Sequence, residues 1–236
     1  MTAVCRVGTS GYFYRGWRGE FYPEDLPLAR YFDYYQEYFD TVELNASFYR
    51  FPTREAVRRW YREARPGFLY AVKVHREITH LKRLADSART RDFYQVVAGL
   101  GDKLGPVLFQ LPPSFRYSEE NLDRVLGVMD PSFLNAVEFR HPSWWNEAVY
   151  NVLREARIAF VSVSAPGLPE EFVDTGFVYL RFHGRTAWYR YDYSDQELAR
   201  WADRARGRSV YAYFNNTDAG HAPANALAFR RMLCGQ

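Results

Sequence analysis

Cysteine is nearly absent from this chain: among 236 residues only Cys5 and Cys234 carry a thiol, one near each end. With no CxxC spacing, a disulfide scaffold or a structural zinc site is disfavoured, and two reduced thiols are expected. Long apolar runs are missing too. No stretch approaches the roughly 18 uninterrupted apolar residues of a membrane span. The opening MTAVCRVGTS lacks the basic start and apolar core of a signal peptide. A cytoplasmic protein with no membrane partner is therefore the expectation. No Gly/Ser-rich linker or low-complexity run divides the sequence, so one domain over residues 1–236 is the economical organisation. Charge of one sign is equally scarce. With 31 Lys and Arg against 28 Asp and Glu, the net is +3, too mild to announce a nucleic-acid binder but tolerant of an anionic ligand.

What the chain does have is core material: 47% hydrophobic residues, with aromatics at 18%. Eight β-rich runs, at 5–10, 41–47, 68–74, 106–111, 135–140, 158–164, 177–184 and 209–216, alternate with helical patterns. Thr53 can cap TREAVRRWYREA, and Ser118 can cap SEENLDRVLGVM, with Glu119 and Glu120 at its positive end. SDQELARWADRARG offers a capping box, Ser194 with Glu197, and a stop at Gly207. Further helices are predicted over 28–38, 90–100, 144–155 and 222–233. Eight strands separated by helix-length connections predict an α/β fold, a single (β/α)8 TIM barrel. A doubly wound open sheet is the alternative. The sixth unit is the weak one, because APGLPEEFVDTG holds two prolines and room for only a stunted helix.

The strands carry an unusual alternation. Parallel strands covered on both faces usually read as continuous apolar runs. In VEFRH, however, Glu138 and Arg140 alternate with Val137 and Phe139. The same parity holds Glu43, Asn45 and Ser47 in the second strand, Lys73 and His75 in the third, and Arg181 and His183 in the seventh. It holds Tyr213 and Asn215 in the eighth, while Gln110 ends the fourth. Successive side chains of a strand face opposite sides, so the apolar set packs against helices and the polar set faces inward. The polar groups lie late in their strands, at the C-terminal mouth where barrel enzymes keep their active sites. The competing explanation is a set of internal ion pairs, Glu138 with Arg181 or Glu43 with Lys73. His141 has the outward parity and is expected to position the loop that presents Trp144.

The segments VGTSGYFYRGWRGEFYP, VELNASFYRFP, FLYAVKVHREITH, VLFQLPPSF, VEFRHPSWW, VYLRFHG and VYAYFNN, followed by GHAPANA, lie in this order along nearly the whole chain. Together they resemble the YecE-like family of uncharacterised barrel proteins, domain of unknown function 72. The resemblance implies a TIM barrel. It brings no agreed reaction and no catalytic assignment.

The candidate catalytic residues are Glu43, Lys73, Glu138 and His183. Candidate ligand-binding residues are Ser10, Asn45, His75, His80, Gln110, Arg140, Trp144, Arg181, Gly184, Tyr213, Asn215 and Asn216. Lys73, Arg140 and Arg181 outnumber Glu43 and Glu138 by one charge, and arginine can bind phosphate or carboxylate with two parallel hydrogen bonds. This predicts acid/base chemistry on an anionic, phosphate-bearing small molecule or nucleotide. Barrels often hold phosphate on the loops after strands seven and eight; here Gly184 and Gly220 permit close approach, and a helix starts near Pro223. Two other readings stay open. The aromatic rim and the basic loop HREITHLKRLADSAR suit a non-enzymatic nucleic-acid binder, and the two glutamates suit a carbohydrate hydrolase. A metal is not expected. The five histidines, His75, His80, His141, His183 and His221, are scattered, and cations would crowd a site built from Glu43, Glu138 and His183. No other cofactor is expected.

Overall fold

The computed structural model describes residues 3–218 and 220–235. Eight strands appear where the periodicity places them: β1 Cys5–Thr9, β2 Thr41–Leu44, β3 Leu69–Lys73, β4 Leu104–Gln110, β5 Asn135–Glu138, β6 Ile158–Ser164, β7 Val178–Phe182 and β8 Val210–Phe214. They form one sheet in the order β1-β8-β7-β6-β5-β4-β3-β2. A parallel bridge from Ser10 to Glu43 joins the first strand to the second. This is the strand order of a (β/α)8 barrel, with helices supplying the connections. Gly8 makes the approach of β1 to β2 possible, since a Cβ there would lie 2.4 Å from the Thr41 carbonyl oxygen.

The helices are α1 Tyr31–Tyr38, α2 Ala46–Tyr49, α3 Arg54–Glu63, α4 Ser87–Val97, α5 Glu119–Val128, α6 Glu147–Glu155, α7 Asp195–Ala205 and α8 His221–Cys234. Their starts follow local chemistry. Thr53, Ser118 and Asn146 accept from backbone N–H groups three residues on, and Ser194 forms the full capping box with Glu197. α4 begins earlier than its apolar pattern suggests because Asp86 accepts from the Arg89 N–H at 2.9 Å. β2 ends earlier, at Leu44. Ser47, expected on the strand, lies in α2 and donates to the carbonyl oxygens of Leu44 and Lys73. Between β6 and β7 the described residues form no helix; Thr175 ties that segment to β6 through Ile158 O and Phe160 N–H.

The chain packs as two compact units. One comprises the chain up to Glu43, Ser162–Phe172 and the chain from Phe177 onward; the other comprises Leu44–Val161 and Val173–Gly176. In the first unit the expectation of two reduced thiols is overturned. Cys5 opens β1, Cys234 closes α8, and the two are disulfide-bonded across 229 residues with Cα atoms 6.1 Å apart. Distance along the chain says nothing about distance in a fold whose last helix packs on its first strand. No described helix is long and apolar enough to cross a membrane.

Candidate functional site

The polar parity places a group of side chains in each unit. In the first unit β1, β2 and β7 bring Ser10, Glu43, Tyr179 and Arg181 together. Glu43 Oε1 accepts from Ser10 Oγ at 2.7 Å and from an Arg181 terminal nitrogen at 2.6 Å, while Oε2 accepts from the Tyr179 hydroxyl at 2.7 Å. All four side chains are buried. Burial and the neighbouring Glu43 carboxylate push the Tyr179 phenol well above its ordinary range, so it serves as a donor. Arg181 therefore pairs with Glu43.

His183 follows on the same face of β7, fully buried, with Nε2 3.4 Å from an Arg181 terminal nitrogen and Nδ1 2.9 Å from the Asn215 amide. The Trp188 ring lies 5.4 Å away, centroid to centroid. Tyr213 is buried and its hydroxyl is committed to Thr41 Oγ1 at 2.8 Å. Asn216, also buried, donates to Tyr191 O and to Asn225 Oδ1, which fixes the turn after β8.

The second unit holds the other cluster. Register pairs Gln110 of β4 with Glu138 of β5, and Lys73 of β3 with Leu108, so Lys73, Gln110 and Glu138 share a side. Arg140 reaches back from just beyond β5 and donates through Nε to Glu138. Glu138 is fully buried, whereas the Arg140 side chain is 11% exposed. Lys73 Nζ sits 4.0 Å over the Phe48 ring, a cation–π contact.

His80 completes this group from an unusual piece of backbone. Glu77–Leu81 form a single π-helical turn, closed by Lys82 N–H on Glu77 O, and Arg83 and Leu84 follow with φ of +47° and +64°. Such turns are rare, recur at functional sites and cost conformational energy. This one sets the His80 ring 5.0 Å from Phe48, with Nδ1 2.9 Å from Thr79 Oγ1 and Nε2 3.5 Å from the Gln110 amide. Burial, then Lys73 and Arg140, lower its pKa to about 4, so the imidazole is neutral at pH 7. His75 lies in the same unit with its ring against Phe51 and Nδ1 3.7 Å from Glu77; burial lowers its pKa as well.

Residues 6–236 match the family model described as "Protein of unknown function DUF72". The chain belongs to this family. It is 25% identical to UPF0759 protein YunF of Bacillus subtilis, over 96% of this chain and 94% of that one. UPF0759 protein YecE of Escherichia coli is 30% identical over 47% of the chain and 42% of its own length. Among solved structures, a DUF72 family protein from Thermotoga maritima superposes with a TM-score of 0.85 at 32% identity, covering 98% of this chain and 99% of that one. One from Enterococcus faecalis, 21% identical and matching 97% and 95% of the two chains, gives 0.83 and supports the fold.

Other sequence candidates in this DUF72 protein take structural positions. Trp144, expected near the rim, is fully buried; it stacks on Phe139 at 3.9 Å and donates from Nε1 to Phe115 O. His141 accepts from Ser143 N–H and so fixes the loop that carries it. Gly184 does not open space for a ligand. At φ +112° a Cβ would lie 2.1 Å from Ala187 O, and its N–H already donates to the Tyr193 hydroxyl. The start of α8 faces a carboxylate, since Asp192 lies 3.7 Å from His221 and accepts from Asn225. Both observations count against phosphate on these two loops. Asn45 lies at the start of α2, half-buried, with Oδ1 enclosed and without a hydrogen-bond partner. No group of three or more His, Cys, Asp or Glu among the described residues is placed to hold a metal. The π-turn was the signal the sequence did not give, since EITHL has no composition that marks one.

The depressed His80 pKa has a testable sign. Above its ordinary value of 6.5 the ring is neutral whether the chain is folded or unfolded, so stability there is independent of this group. Below 6.5 the unfolded chain takes up a proton that the folded one refuses until about pH 4, so stability falls across that window. The His80 Cε1–H resonance should titrate near 4 in the folded protein, and Lys73→Met should move that midpoint upward. A midpoint at the ordinary value would mean that neither burial nor the cations act on the ring, and no change in Lys73→Met would remove the lysine's share.

Proposed function

We propose that this DUF72 protein is an enzyme performing acid/base chemistry on a small anionic molecule at the C-terminal ends of β3, β4 and β5. The supporting observation is the contrast between the two clusters. Glu43 is sealed, with both oxygens engaged by buried donors, which suits a structural keystone. Glu138 is equally buried, yet its partner Arg140 reaches solvent, and the partly exposed His80 stands beside it under the influence of Lys73, Arg140 and Glu138 together. Lys73, Arg140 and Glu138 sum to one positive charge, which favours an anionic substrate group.

In this reading Lys73 and Arg140 receive the anion, and Glu138 exchanges the proton. His80, held neutral, offers a hydrogen bond that carries no charge of its own. His183 and Asn215 belong to the other unit and position the turn after β7. Turnover is to be sought over a panel of phosphate monoesters and hydroxy- or oxo-carboxylates. Glu138→Gln is expected to lower kcat at least about 100-fold, the usual range for a lost acid/base group, with the melting temperature held. Full activity in the variant, or loss only through unfolding, would end the assignment.

A further inference from the structure

Charge is unevenly spread along the chain in a way the net of +3 conceals. Residues 46–103 contain thirteen Lys and Arg against six Asp and Glu, a net of +7, so the remainder carries −4. Much of this excess sits on one surface of the second unit. Arg54, Arg58, Arg59, Arg62 and Arg65 on and just beyond α3 are all exposed, as is Arg50 at the end of α2. An open groove of about 470 Å³ runs between these helices, lined by Arg50, Phe51, Pro52, Arg59, Trp60 and Arg62, with Glu55 the acidic residue on its wall.

Two further features suit a specific class of ligand. Tyr49, next in the chain to the groove residue Arg50, is 69% exposed, a large aromatic face left in water. Phe51, which lines the groove, carries the Arg89 guanidinium 3.8 Å over its ring, so the first turn of α4 continues the same positive surface. Carboxylate contacts compete loosely: Arg59 with Glu63 at 3.8 Å, and Arg89 with Glu77 at 3.3 Å and Asp92 at 3.9 Å. The Arg59 pair is exposed and worth little in water, and the Arg89–Glu77 pair is half-buried.

We infer that the Arg50–Arg59–Arg62 groove, together with the exposed Tyr49 that precedes Arg50, is a binding site for single-stranded nucleic acid. Arginines along a groove track the phosphates, and an exposed aromatic stacks a base whose identity it does not read. Duplex fits less well, because its bases are not available to Tyr49. The site is separate from the Glu138 cluster, so it stands whether or not the acid/base reading holds.

The test uses the full chain and a fluorescein-labelled oligo(U) 20-mer, followed by anisotropy from 50 to 300 mM KCl. Binding should weaken with salt, with a log–log slope of about −2 to −3, each neutralised phosphate contributing roughly 0.7 for a single strand. Arg50→Ala, Arg59→Ala and Arg62→Ala combined should flatten the slope by about 2 and weaken binding more than tenfold at 50 mM. Tyr49→Ala should cost about tenfold at every salt and leave the slope alone. Arg204→Ala with Arg208→Ala, on α7 and the turn after it, should change nothing. No binding at 50 mM would overturn the proposal, as would full binding by the triple variant. So would equal affinity for heparin or duplex with no Tyr49 effect, which would mark an unspecific basic face. Since all four target side chains are exposed, unchanged thermal melting is expected and keeps the comparison valid.

Discussion

Arg181→Met is expected to destabilise the protein by about 3–5 kcal/mol, the cost of leaving a buried charge without its partner. Glu43 is fully buried and bonded to Ser10, Tyr179 and Arg181, and without the guanidinium its charge would face two neutral hydroxyls. In a chain of this size that corresponds to a fall in Tm of roughly 6–20 °C. The double replacement Glu43→Leu with Arg181→Met should recover much of the loss, because it removes both charges and keeps apolar volume. Urea denaturation of the wild type, the single and the double variants separates the cases. A single-variant cost below about 1 kcal/mol would show that the pair is not a keystone.

Reduction of Cys5–Cys234 is expected to have an effect of similar size through a different route. The bond closes nearly the whole chain, and chain-entropy reasoning assigns such a loop about 5 kcal/mol as an upper value. Its action is on the unfolded chain, so the folded clusters should be unchanged. Thermal melting with and without a phosphine reductant, and of Cys5→Ser with Cys234→Ser, gives the shift. Both thiols reacting with Ellman's reagent in denaturant before reduction would show that the bond is not formed in solution. Both cysteines are partly exposed, so reductant has access to them.

How much of this was legible beforehand depends on the range of the interaction. The alternation at Glu138 and Arg140 was readable because a strand has a period of two, and every strand kept its expected place. The caps at Thr53, Ser118 and Ser194 were readable because a cap acts within three residues. Partner choice was not. Glu43 takes Arg181, 138 residues away, and no local pattern marks that pair. Depth was not legible either: Glu43 and Glu138 have the same parity, but only one is paired to a residue that reaches water. The glycine at 184 looked like room for a ligand, yet the chain's own Ala187 carbonyl fills it. The family match supplied the fold over nearly all residues and left the chemistry to be argued from these contacts.

The covalent link between β1 and α8 also changes what the molecule is under load. Pulled at points just outside Cys5 and Cys234, the oxidised chain would transmit tension through a single S–S bond, and the sheet between would feel none. Extension would stay at a few ångströms until the bond broke. Once reduced, the same pull would peel α8 from β1 and β1 from β8, letting out more than 200 residues of slack. The thiol state therefore decides whether force can unravel this barrel from its ends at all.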